Sequence, residues 1–264
     1  MPSRERPRRR NKRPGPPARP PHERELLRIC GLAAVRALFD RDPGRVERLF
    51  FEPALRGELT ASCQDLARAH KPYREVDGAE LARIAGTVLH GGAVAIARPR
   101  PLIDLDPAAI RGWARDGKPL LVLDGIGNPH NLGAVVRSAA FFDLARIVLA
   151  DRADQALPSD AAYRVAEGGL EYVSLYRAPL PAALRGLRPA YRVVGTSLAR
   201  GSAAIKPRDD RPAALILGNE KTGLDSRTLV LCDDVVRIPG SGHVQSLNVS
   251  SAAAILIYLF TRSP

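Results

Sequence analysis

The sequence predicts an α/β protein whose C-terminal part is a parallel sheet with helices on both faces. From Pro119 onward, apolar runs typical of strands alternate with helical patterns, as in sheets built with crossover helices. The first of these runs, LLVLD at 120–124, is almost continuously apolar, as expected of a strand buried on both faces. A change in composition just before it separates this part from a smaller α/β unit.

The chain divides into four predicted parts. Residues 1–22 hold seven prolines and almost nothing apolar, so we expect a disordered tail. Residues 23–98 are predicted to form the small α/β unit. Residues 99–118, with three prolines and the only tryptophan, are predicted to be a linker with a short helix, and residues 119–264 form the larger domain.

The elements follow from the spacing of apolar residues and from helix-breaking residues. In the small unit we predict a helix at 26–39, a strand at 46–51, helices at 59–69 and 78–84, and a strand at 90–97. In the larger domain we predict strands at 120–124, 146–150, 171–176, 191–199, 213–218 and 235–239, and helices at 132–142, 159–167 (capped by Ser159), 181–187 and 247–260.

The charge balance favours a polyanionic partner, with nucleic acid as the leading candidate. Lys and Arg total 40 against 28 Asp and Glu, a net charge of +12, of which residues 1–22 carry +7. The longest apolar run, 252–260, is too short to span a membrane, and no apolar core follows the N-terminal charges as in a secretory signal. An organelle transit peptide is an alternative for the tail, although its prolines oppose an amphipathic helix.

Three cysteines lie far apart without a CxxC pair, so neither a disulfide framework nor a zinc site is expected. We therefore expect buried thiols, a cytoplasmic protein and no metal.

Three segments rich in Gly and Asn follow predicted strands, where ligands bind in parallel sheets. In the first, 123–142, Asn131 is positioned to cap a helix, and Arg137 lies among apolar residues, so it needs an anionic partner or solvent. The second, 215–224, carries Glu220 but no phosphate-loop pattern. In the third, 235–260, Ser246 and Asn248 lie at the start of an Ala-rich helix that they could simply cap.

Several enzyme classes are disfavoured by these segments. The chain has no GxGxxG for a dinucleotide and no GxxxxGK[ST] for a nucleoside triphosphate. Ser241 and His243 are close together, but the GxSxG frame of a serine hydrolase is absent.

Taken together, the three segments resemble the three motifs of the SpoU/TrmH family, the RNA 2′-O-ribose methyltransferases of the SPOUT superfamily. NPHNLGAVVRSA resembles motif 1, LGNEKTGL resembles motif 2, and RIPGSGHVQSLNVSSAAAI resembles motif 3, in the family's order. The resemblance covers about 119–264, and residues 23–98 resemble the RNA-binding domain that precedes it in many members.

The resemblance implies a deep trefoil knot, a homodimer, S-adenosylmethionine as cofactor, and RNA as substrate, with ribosomal RNA favoured over transfer RNA. It places the cofactor against the loops of motifs 2 and 3. The matching cofactor positions are Leu217, Gly218, Ile238, Ser246 and Leu247.

The resemblance also implies the catalytic positions. Arg137 matches the arginine usually assigned to catalysis, Asn131 organises the motif 1 loop, and Glu220 and Asn248 match polar positions of motifs 2 and 3. An arginine stays protonated, so we interpret Arg137 as a phosphate anchor rather than a general base. Lys221 and Gly240 replace the usual Gly and Met, so differently shaped loops are expected. The alternative is an RNA-binding protein of the same fold that no longer catalyses.

Overall fold

The computed structural model describes residues 26–197, 201 and 210–261. The predicted tail at 1–22 lies outside these residues. The described chain contains two sheets, one of four strands and one of seven. None of the described helices combines the length and apolar character needed to cross a membrane.

The small unit is a four-stranded sheet with three α-helices. Its elements are β1 (Leu27–Cys30), α1 (Leu32–Arg41), β2 (Val46–Phe51), α2 (Thr60–Arg68), β3 (Tyr73–Glu75), α3 (Gly78–Ala85) and β4 (Ala93–Ala97). The strand order is β1-β4-β2-β3, with β4 antiparallel to both neighbours and β2 parallel to β3.

The prediction of one helix over 26–39 is wrong in its first part. Leu27–Cys30 is a strand that pairs with β4, and the helix begins at Leu32. Gly31 separates them at φ 97°, a left-handed conformation that glycine adopts without steric cost. Apolar spacing alone could not reveal this, because a short apolar run fits either a strand or a helix.

The larger domain contains the remaining elements. They are β5 (Ile103–Asp104), α4 (Pro107–Ala114), β6 (Leu120–Asp124), α5 (Pro129–Phe141), β7 (Arg146–Ala150), α6 (Asp160–Ala166), α7 (Gly169–Tyr172), β8 (Ser174–Ala178), α8 (Leu180–Leu187), β9 (Arg192–Thr196), β10 (Ala213–Gly218), α9 (Ser226–Leu229), β11 (Asp234–Val236) and α10 (Val249–Thr261).

The predicted parallel sheet is confirmed. All its pairings are parallel, in the order β11-β9-β10-β6-β7-β8-β5. Alternate residues of its central strands point to opposite faces, so Leu121 and Leu123 pack with α5 and α10 while Val122 packs with α8. Burial on both faces explains why these strands read as continuous apolar runs.

Two predicted boundaries differ in the structure. Part of the predicted linker, 99–118, belongs to the larger sheet, because β5 pairs with β8 and α4 packs through Ile110 against the α8 side. The strand predicted at 171–176 begins only at Ser174, since Glu171 lies in the short helix α7. Glu171 is buried and takes part in the contact between the two units.

A buried ion pair joins the small unit to the larger domain. The Arg45 Nη1 donates to both oxygens of the Glu171 carboxylate, at 2.8 and 3.0 Å. Its Nη2 donates to the Tyr163 hydroxyl at 3.1 Å. Arg100 adds a second guanidinium to Glu171 at 3.0 Å. The Glu171 side chain is fully buried, so these bonds compensate a charge that has lost its water. We call Arg45, Arg100, Tyr163 and Glu171 the seam cluster.

Candidate functional site

The three motif segments meet at the carboxyl end of the parallel sheet. Gly218 at the end of β10 lies in register with Asp124 at the end of β6. From the next residue, the Asn219 side chain donates to the Gly125 carbonyl at 2.7 Å, which joins the loops of motifs 1 and 2. This is the sheet edge at which parallel α/β proteins bind ligands.

A hydrogen-bonded chain of three side chains links all three motifs. Asn131 Nδ2 donates to Glu220 Oε1 at 2.7 Å, and Asn248 Nδ2 donates to Asn131 Oδ1 at 3.1 Å. The three residues are separated by up to 117 positions in the sequence. We call Asn131, Glu220 and Asn248 the motif network.

The motif 1 loop is held differently from the sequence prediction. Helix α5 begins at Pro129, and its N-cap is Asn128, whose side chain accepts from the His130 backbone N–H at 2.9 Å. The prediction that Asn131 caps this helix is therefore wrong. Because Asn128 already caps the helix, the Asn131 side chain is available for the motif network.

The motif 2 loop is a tight turn with little room at its base. A side-chain carbon added to Gly218 would lie 2.5 Å from the backbone carbon of Gly223, so only glycine fits there. The Asn219 carboxamide oxygen accepts from the backbone of Lys221 and Thr222 at 2.9 and 3.2 Å. The left-handed residue of the turn is Gly223, so the lysine at 221 needs no special backbone conformation.

The motif 3 segment reaches α10 through an exposed loop. Asn248 Oδ1 accepts from the backbone N–H and the hydroxyl of Ser250, both at 2.7 Å, at the start of the helix. Asn248 therefore serves both the helix start and the motif network. Ser246 and Leu247 are exposed, and open space surrounds Gly240.

The surroundings fit S-adenosylmethionine, the cofactor that the resemblance implies. Leu217, Ile238 and Val249 belong to one apolar cluster, which brings the end of β10 against the motif 3 segment. Leu247, two residues before Val249, is 47% exposed, so its apolar side chain is accessible to a ligand. No group of three or more possible metal ligands occurs in the described part of the chain.

Arg137 lies outside the motif network. It is on the last turns of α5 and its Nη2 pairs with Glu167 Oε2 at 2.8 Å. Both side chains are about half exposed, at 55% and 53%. The sequence predicts that this arginine needs an anionic partner or solvent, and it has both: the Glu167 carboxylate and exposure to water.

Sequence reasoning missed the groups that brace the motif 1 loop. Asp124, buried at the end of β6, accepts from Arg152 at 2.8 Å and from the Thr228 hydroxyl at 3.0 Å. The hydrogen bonds that Arg152 donates to Asp154 and Asp124 raise its pKa. The buried Gln155 side chain accepts from the backbone of Gly125 at 3.0 Å. Asp124 could have been found from the sequence, because it is an acidic residue that ends an apolar strand. No sequence pattern indicates the role of Gln155.

Two family models match the chain. The SpoU rRNA Methylase family matches residues 118–258, and the RNA 2′-O ribose methyltransferase substrate binding domain matches residues 28–102. The first alone covers more than half of the chain.

Relatives with known names agree with these matches. A 23S rRNA (guanosine-2′-O-)-methyltransferase RlmB of Acinetobacter baylyi is 34% identical over 240 residues, which cover 86% of this chain and 94% of the relative. An uncharacterized tRNA/rRNA methyltransferase, YfiF of Escherichia coli O157:H7, is 34% identical over 235 residues, covering 88% and 67%.

Solved structures share the fold over most of the chain. An RNA 2′-O ribose methyltransferase superposes with a TM-score of 0.70 at 27% identity, covering 90% of this chain and 89% of that one. An AdoMet-bound rRNA methyltransferase from Sinorhizobium meliloti gives a TM-score of 0.72 at 24% identity, covering 90% and 87%. With both its domains matched and its three motifs brought to one sheet edge, this chain belongs to the SpoU family of RNA 2′-O-ribose methyltransferases.

Proposed function

We propose that this protein methylates a ribose 2′-hydroxyl of ribosomal RNA, using S-adenosylmethionine. The observation that carries the proposal is the motif network, because hydrogen bonds between three distant segments form a polar site at the ligand-binding edge of the sheet. The names of the RlmB relatives favour ribosomal over transfer RNA as the substrate. A ribosomal substrate also agrees with the predicted cytoplasmic location.

In this proposal Arg137 anchors the RNA while the motif network shapes the site. Bound S-adenosylmethionine would supply a methyl group on a sulfonium, from which a neutral thioether departs as a good leaving group. The Arg137 guanidinium is suited to a bidentate contact with phosphate and would hold the ribose in line with the methyl. The Glu220 carboxylate, held by the Asn131 side chain, would serve as the acceptor of the hydroxyl proton as the oxygen–methyl bond forms.

We propose further that two copies of the chain associate through an apolar face of α5 and α10. Phe141 is 82% exposed, and Tyr258 and Leu259 of α10 are also exposed. Phe142 joins the two helices, with ring centroids 5.1 Å from Phe141 and 5.9 Å from Tyr258. An aromatic face of this kind is typical of a protein interface. It supports the homodimer that the resemblance implies.

The trefoil knot remains a proposal that rests on family membership. After the edge strand β11, the chain returns across the sheet so that α10 packs with α5, as a C-terminal knot requires. The basic tail at 1–22 is proposed to add phosphate contacts, which would make RNA binding more dependent on salt.

The decisive experiment maps ribose methylation in ribosomal and transfer RNA from cells with and without the gene. We expect one or more ribosomal 2′-O-methyl groups to disappear on deletion and to return with the wild-type gene. Purified protein should restore them with S-adenosylmethionine in the presence of a chelator. An unchanged methylation map, together with RNA binding by the purified protein, would support the non-catalytic alternative.

A further inference from the structure

The carboxylate that pairs with Arg137 lies on an unusual piece of backbone. Glu167 ends helix α6 at φ 44° and ψ 47°, the left-handed region. Residues other than Gly, Asn and Asp rarely adopt this backbone conformation, because their Cβ approaches the following carbonyl oxygen. A glycine would occupy the position without strain, and such strain tends to be retained where a side chain has a function.

The corner that carries Glu167 is held tightly from two sides. A side-chain carbon on Gly168 would lie 2.9 Å from the Ala37 side chain of α1, in the small unit. One on Gly169 would lie 3.3 Å from the Cα of Arg137 itself. The backbone of the corner 167–169 is therefore in close contact with the small unit on one side and with α5, which carries Arg137, on the other.

The seam cluster fixes the same corner from its other end. Glu171 follows the corner by two residues and accepts hydrogen bonds from Arg45, just before β2, and from Arg100, just after β4. These contacts hold α7 against the docked small unit. Because only Gly168 separates Glu167 from α7, the position of the Glu167 carboxylate depends on this docking.

We propose that Glu167 is a positioning residue that holds the Arg137 guanidinium in place for RNA. The inference rests on the role proposed above for Arg137. The 2.8 Å ion pair restricts a long side chain that would otherwise sample many rotamers, and both partners are exposed enough for a phosphate to approach the guanidinium's other face. Docking of the small unit then sets the position of the residue that meets the substrate.

Two variants and a matched control test the inference. In Glu167→Gln the ion pair is lost, and we expect kcat to fall roughly threefold to fivefold, the scale of an exposed pair. The KM for RNA should not rise, because a negative charge near the phosphates has been removed. Glu167→Gly should show the same fall in kcat with a Tm at or above the wild-type value, because the backbone strain is relieved.

The control is Glu58→Gln, which removes a similarly exposed pair with Arg36 in the small unit. It should leave kcat unchanged. A wild-type kcat in Glu167→Gly, or a fall that Glu58→Gln matches, would overturn the inference. The variant Arg137→Ala separates the two proposals: if it remains active, the role of Arg137 fails, and if it is inactive while Glu167→Gln is fully active, only the role of Glu167 fails.

Discussion

The motif network and the seam cluster are both polar and both join distant segments, yet their surroundings are opposite. In the motif network, Glu220 and Asn248 are exposed, and the hydrogen bonds are between neutral amides and one carboxylate. In the seam cluster, Glu171 is fully buried and shared by two guanidinium groups. The side chains of the motif network can exchange their hydrogen bonds for bonds to a ligand. The seam cluster cannot lose a member without leaving a buried charge poorly compensated.

This difference separates function from stability in the molecule. Exposed polar groups contribute little to the free energy of unfolding, since water replaces any bond that is lost. Buried ones contribute strongly when one member is removed. We therefore expect substitutions in the seam cluster to change stability first, and substitutions around the motif site to change the reaction first.

The largest effect is expected at the seam. Glu171→Gln leaves the buried Arg45 with only the Asp42 carboxylate, 4.0 Å from its Nε, as a counter-charge and should lower the free energy of unfolding by about 3 kcal/mol. The exposed Glu58→Gln should cost no more than about 1 kcal/mol. Chemical denaturation of both variants measures the two values. Equal losses would show that the seam cluster is not the stabilising contact that its burial indicates.

The next effect concerns the site. Arg137→Ala should reduce methyl transfer by about a hundredfold, because the substrate loses its phosphate anchor. Arg137→Lys should also be impaired, since an ammonium lacks the planar fork. Cofactor affinity and the unfolding midpoint should stay near wild-type values in both variants. Transfer assays and titration calorimetry give these quantities, and a nearly active Ala variant would remove Arg137 from the mechanism.

The smallest expected effect is a loss of stability at high pH. It concerns Tyr191, which directly precedes β9 and so lies at the amino end of the parallel strands. Tyr191 is almost fully buried, and burial raises its pKa to about 12, with Arg146 opposing and Asp116 adding to the shift. The folded state then holds this proton more tightly than the unfolded chain, whose tyrosines titrate near pH 10. Stability from Tyr191 should be complete below pH 10 and lost as the pH rises to about 12.

Tyr191→Phe should weaken this pH dependence of the unfolding midpoint. A remainder is expected from Tyr163 of the seam cluster, whose pKa burial also raises. An identical decline in the wild type and the Phe variant would contradict the assignment to Tyr191.

Much of the fold was predictable because the chain marks its strands clearly. The runs that became β6, β7 and β10 are apolar throughout, and Pro or Gly interrupts the chain between most elements. Prediction failed where a short apolar run suits either structure, as at Leu27–Cys30, which became a strand only because β4 pairs with it. It also failed for β5, whose two residues are ordered by pairing with β8.

For the site, the sequence alone determined the chemistry available: three motif segments at strand ends, and the residue types Asn, Glu and Arg within them. Only the tertiary structure decided which of these residues touch. It joined Asn131 to Glu220 and Asn248 across 89 and 117 positions, and it paired Arg137 with Glu167, a residue that no sequence pattern marked. The physical reason is that local propensities act over a few residues, whereas these contacts depend on the order of strands in the sheet and on how the small unit packs against α6 and α7.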